Sequence, residues 1–76
     1  MAEAQTIAVQ RVRAFLASDI GVEIDRIAVT NVVRSLVPHA PGQIDIGPRY
    51  AFEITLGAAG MGYRCRYFEG RVERLS

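Results

Sequence analysis

The chain has 76 residues and a net charge of +1, from nine Arg and eight acids with no Lys. That length holds one domain with a small core, and so little net charge makes no electrostatic case for nucleic acid or an anionic membrane. A single cysteine excludes an internal disulfide framework and any cluster of Cys ligands.

Residues 1–20 predict an amphipathic helix. Ala8, Val9, Val12, Phe15, Leu16 and Ile20 share one face at helical spacing, and no Pro or Gly interrupts them. Gly21 follows, where a helix-ending residue with positive φ belongs.

Residues 22–37 fit two readings. As a helix from Arg26, capped by Asp25, they put Ala28, Val29, Val32, Val33 and Leu36 on one arc. As a strand, Ile27, Val29, Val33 and Val37 alternate with Arg26, Ala28, Thr30 and Arg34. Eight of the sixteen residues are Val, Ile or Thr, which suit a pleated sheet better than a helix, so the strand is favoured.

Pro38 to Gly42 reads as a loop, with two Pro and a Gly in five residues. Ile44 to Ile46 reads as a short extended piece ended by Gly47 and Pro48. No run approaches the ~20 apolar residues of a membrane span, and no basic start followed by an apolar run marks a signal peptide. A cytoplasmic protein is expected.

Arg49 to Leu75 predicts two consecutive β-hairpins. Tyr50, Phe52, Ile54 and Leu56 alternate with Ala51, Glu53 and Thr55, and Tyr63, Cys65 and Tyr67 alternate with Arg64 and Arg66. Gly57 to Gly62 is the expected connection, and Glu69-Gly70 the turn into a third run holding Val72. Registered separately, the hairpins agree on an apolar rung, Phe52–Tyr67–Val72, and a charged rung, Glu53–Arg66–Glu73. Arg74 is the exception: it falls on the apolar side beside Cys65 and is expected to snorkel outward.

No catalytic constellation emerges. The three glycines of residues 57–62 resemble a phosphate-cradling loop, but such loops lead into a helix and here a strand follows. His39, the only histidine, has no orienting partner in sequence except Asp45. Cys65 sits between two Arg, which favours a reactive thiolate, yet alternation puts those Arg on the opposite sheet face. A buried thiol is the expectation. Asp19, Glu23, Asp25, Asp45 and Glu53 form no acid/base motif.

In the order and spacing of Leu16, Ala17, Ile20, Gly21, Val22 and Ile27, about 20 residues resemble a helix-turn-helix. That resemblance implies a DNA-binding regulator. The positions it would turn toward DNA are Glu23, Ile24, Asp25, Ala28 and Val29, which are acidic or apolar where base contact needs Arg, Asn or hydroxyls. One helix followed by three or four antiparallel strands is also similar to cystatin-type and PepSY-type modules. That likeness is one of topology alone, and no family is assigned.

The fold expected is therefore α+β, an N-terminal helix packed on a three- or four-stranded antiparallel sheet. The function expected is non-enzymatic binding of another protein, as a small inhibitor, adaptor or accessory subunit such as a phage or mobile element encodes. No catalytic, cofactor or metal residues are assigned. Tyr63, Arg64, Arg66, Phe68 and Arg71 are the expected partner contacts, because Arg and aromatics concentrate binding energy at interfaces. Residues 49–76 carry five Arg and three acids, which points to an acidic partner. Arg71 to Leu75 is an expected sheet edge, open to a partner strand or a second copy.

Overall fold

The computed structural model describes residues 2–37 and 49–75. The expected loop at Pro38–Gly42, the extended piece at Ile44–Ile46, and His39 with Asp45 lie outside the described residues. Within them, one helix packs on one face of a four-stranded antiparallel sheet in the order β1-β2-β3-β4. This is the expected α+β fold, with the longer of the two sheets.

Helix α1 spans Ala2–Ile20. Ala8, Val12 and Leu16, spaced by four, are its fully buried residues, so the contact is a single ridge along the helix. Val9 and Ile20 flank the ridge, while Phe15 is only half-buried and stays outside the core. Gly21 ends the helix with φ +72°, and the Val22 amide donates back to the Ala17 carbonyl at 3.1 Å, as a left-handed helix end requires. Arg13 ties this end down, because its Nη2 donates to the Ile24 carbonyl at 2.9 Å.

Residues 22–37 resolve as a strand after one tight turn. A 3₁₀ turn covers Ile24–Arg26, and β1 then runs Ala28–Val37. Glu23, at the turn's N-cap, makes no side-chain capping bond, and Ile27 is buried against the core with extended backbone beyond it. The nascent helix therefore stops after one turn, and the β-branched run pairs with β2 instead. A helix-turn-helix needs a second α-helix here, and the chain places a strand there.

The expected alternation of β1 is corrected by a bulge. Val29 pairs with Leu56 and Asn31 with Thr55, so Thr30 is an extra residue in the ladder. One inserted residue reverses every face after it. Val32, Arg34 and Leu36 then share the helix side with Ile54, Phe52 and Tyr50. Val33 and Val37, expected to share a face with Val29, lie on the other side.

Strands β2 (Arg49–Ala58), β3 (Met61–Phe68) and β4 (Arg71–Arg74) hold the register read from the sequence. Phe52 faces Tyr67, which faces Val72, and Glu53 faces Arg66, which faces Glu73. Ile54, Leu56 and Cys65 from the helix side complete the core with Leu16 and Val12. Arg74 does face Cys65, and its Nη1 is anchored 2.6 Å from Asp19 Oδ2 at the end of α1.

The connection expected over residues 57–62 is shorter than expected. Gly57 pairs with Gly62 and Ala58 with Met61, leaving Ala59-Gly60 as a two-residue turn. Both have positive φ, +52° and +76°, as the strand twist demands of such a turn. Ala59 is a poor residue for that conformation, which costs an L-residue about 1–2 kcal/mol. Ala59→Asn is therefore expected to stabilise the fold by about 0.5–1 kcal/mol, since Asn tolerates positive φ at this turn position. Chemical denaturation checks this, and a loss of stability would contradict the turn geometry.

Candidate functional site

Helix α1 covers one face of the sheet, and among the described residues no element packs on the other. Strand alternation places Arg49, Ala51, Glu53 and Thr55 of β2 on it, with Arg64, Arg66 and Phe68 of β3 and Arg71 and Glu73 of β4. Four of the five expected contact residues, Arg64, Arg66, Phe68 and Arg71, thus share one surface. Tyr63 does not. It is half-buried on the helix side, packed against the core, with the Arg74 guanidinium 5.3 Å from its ring centre.

Phe68, the last residue of β3, stands at the turn end of this face. The Arg49 guanidinium carbon lies 5.0 Å from its ring centre and that of Arg66 lies 6.0 Å away. A cation held over an aromatic face is attracted by about 0.5–1 kcal/mol at an exposed site. Arg49 is also held by Glu69, whose Oε1 accepts from Nη2 at 2.8 Å, and its side chain is only 19% exposed. Extending the β2–β3 register by one residue sets Ala51 opposite Phe68, and Ala51 is 2% exposed although among the described residues no helix lies on this side. A small apolar centre therefore sits inside a charged surface.

The charged rung behaves differently from its expected form. Glu53 pairs with Arg64, diagonally across the ladder, at 3.4 Å rather than with Arg66 directly opposite. Sheet twist brings diagonal neighbours within reach of long side chains. Both partners are about half exposed, so the pair contributes little, roughly 0–1 kcal/mol. Arg66 is left to stack toward Phe68. Neither Arg66 nor Arg71 makes an ion pair among the described residues. Together with Phe68 and Glu73 they line a shallow hollow of about 130 Å³.

Arg49 is the site residue that sequence reasoning missed. The signal was present: extending the Phe52–Tyr67 register by one residue sets Ala51 opposite Phe68, with Arg49 next on the same face. Its ion pair with Glu69 was not legible, since it depends on the turn carrying Glu69 back over β2.

Cys65 is buried, and that burial pushes its thiol above the ordinary value; nearby Arg74 pulls it down and Asp19 pushes it up, both more weakly. The glycine-rich segment 57–62 is a paired hairpin with no helix after it. Among the described residues, no three of His, Cys, Asp and Glu converge to hold a metal, and no helix is long and apolar enough to cross a membrane. Beside α1, a cleft of about 370 Å³ is lined by Ile7, Arg34 and Tyr67 and also by Arg49, Phe68 and Glu69, so it reaches the Phe68 end of the candidate site. Arg34 lies over Tyr50 there, at 4.6 Å. No protein-family model, no curated protein and no solved structure matches the chain.

Proposed function

We propose that this chain is a non-enzymatic protein-binding module, acting as a small inhibitor, adaptor or accessory subunit, such as a phage or mobile element encodes. Its helix-free sheet face receives an acidic patch of another protein. One observation carries this reading: Phe68 stands beside Arg49 and Arg66, next to a shallow hollow and an Arg71 that makes no ion pair among the described residues. A solvated sheet face gains nothing from an aromatic ring among its charges. An interface does, because a desolvated aromatic ringed by Arg is the usual composition of a binding hot spot. Among the described residues no carboxylate pairs with Arg66 or Arg71, and acidic groups of a partner would neutralise their charge.

Protein is favoured over nucleic acid as the partner. Glu53 and Glu73 sit among the Arg of this face, and a phosphate backbone would be repelled by both. The cytoplasm suits a chain with one free thiol. A second copy of the chain is the other candidate partner, and its place on the fold is argued below.

The test compares affinity capture by the wild type with capture by Arg64→Glu combined with Phe68→Ala. Arg64 is exposed and Phe68 half-buried outside the core, so the double variant should keep its circular dichroism spectrum. The wild type is expected to recover one discrete protein partner and the variant to lose it by at least tenfold. Equal recovery by both would overturn the assignment of this face. Retention on a DNA duplex, weakening steeply with salt, would overturn the choice of a protein partner.

A further inference from the structure

The sheet ends in two unlike edges. β4 is four residues long and carries Arg71, Glu73 and Arg74, the short charged form by which proteins protect an open edge. β1 is ten residues long and has one charge, Arg34, with no Pro, Lys or acid. Its bulge lies near its start, at Thr30, and leaves the rest regular. Val33 is 51% exposed on one face and Leu36 is 64% exposed on the other. Helix α1 makes its main contacts with β2, β3 and β4 rather than with β1. Among the described residues no strand pairs with this long, apolar edge, and such an edge presents a row of amides and carbonyls that another strand can satisfy.

We propose that the outer edge of β1 pairs antiparallel with β1 of a second copy of this chain, about a two-fold axis at Val33. The two sheets then become one continuous sheet with both helices on the same face. An antiparallel edge is self-complementary about such an axis, so a copy supplies a strand of matching length and pattern. The register follows from β1 itself. Residues directly opposite each other must lie on the same face of the pleat. With the axis at Val33, Val33 meets its own copy, Asn31 meets Ser35, and Val32 meets the aliphatic stem of Arg34. With the axis at Arg34, two guanidinium groups would face each other, which is destabilising. An axis at Val32 brings the bulge into the ladder's centre, and one at Ser35 shortens the ladder. This proposal stands apart from the binding face around Phe68, which the paired edges leave open, so either can fail without the other.

The test uses the full chain. Sedimentation over a concentration series is expected to show a dimer for the wild type and a monomer for Val33→Lys, which sets two ammonium groups face to face at the axis. The exposure of Val33 lets the variant keep its circular dichroism spectrum. Cysteines placed at Val33, Arg34 or Leu36 then read the register. Paired Cα atoms lie about 4.5–5.5 Å apart, within the span of a disulfide. Mild oxidation should cross-link Val33→Cys at least tenfold more than Arg34→Cys or Leu36→Cys, with native Cys65 buried and silent. A wild type that stays monomeric, a Val33→Lys dimer, or cross-linking that peaks at another position each overturns the proposal.

Discussion

Leu16→Ala is expected to lower the unfolding free energy by about 3 kcal/mol, within the range of 2–5 kcal/mol for truncating a buried Leu. A domain of 76 residues has about 4–11 kcal/mol to lose, so this single change approaches the unfolding threshold. The reason lies in how the helix docks. Among the described side chains of α1, Ala8, Val12 and Leu16 are the ones buried fully, and Leu16 is the largest of them. It meets Ile54, Leu56 and Cys65 within one core cluster, where a cavity has no flexible neighbour to collapse into. Phe15→Ala serves as the control, with an expected cost near 1 kcal/mol, because Phe15 is half-buried and outside that cluster. Urea denaturation of the two variants decides the matter. A Leu16→Ala loss below that of Phe15→Ala would contradict the docking of α1 along its Ala8–Val12–Leu16 ridge.

The Cys65 thiol is expected to react with a disulfide reagent at least about 10³-fold more slowly in the native protein than in urea. The side chain is fully buried, so reagent reaches it only when the sheet and helix part. An opening free energy of about 4 kcal/mol suppresses the rate by about that factor. Chemistry adds to access, since burial raises the thiol pKa and leaves less thiolate than in an exposed cysteine. The linkage has a definite sign. The folded state holds this proton more tightly than the unfolded state does. Cys65 therefore leaves stability unchanged at neutral pH and lowers it as pH rises past the ordinary thiol value. Cys65→Ser removes that alkaline loss. Reaction in native buffer as fast as in urea would show that the core around Cys65 is open.

The two hairpins of residues 49–75 were legible because two independent registers agreed. A single period-two pattern can slip by one residue, but Phe52–Tyr67 and Tyr67–Val72 share Tyr67 and constrain each other. The turn at Ala59-Gly60 was less legible, because Gly57 and Gly62 look like loop residues yet pair within the ladder. For residues 22–37, composition favoured the strand but could not reveal the bulge. Nothing in Val29-Thr30-Asn31 marks Thr30 as unpaired; its Oγ1 donates to the Thr55 carbonyl, a contact that exists only once β1 and β2 meet. That one residue moved Val33 and Val37 to the open face.

The candidate site was legible to the same depth. Alternation alone collects Arg64, Arg66, Phe68 and Arg71 on one face. It also places Tyr63 on the other, and Tyr63 was counted as a contact for its aromatic type rather than its face. The pairs that set the site's charge balance were not legible. Arg49–Glu69 and Arg74–Asp19 join residues 20 and 55 positions apart, and each depends on where a turn or helix end comes to rest.

The measurement that tests the binding face most directly is photo-cross-linking from two positions of the intact protein. A photoreactive phenylalanine analogue replaces Arg71, exposed on the helix-free face, or Gln10, exposed on the outer side of α1. Each protein is irradiated in the presence of the partner recovered by affinity capture. One discrete adduct from position 71, with none from position 10, is the expected result. Adducts from position 10 alone would place the partner on the helix side and contradict the role assigned to Phe68 and its Arg neighbours.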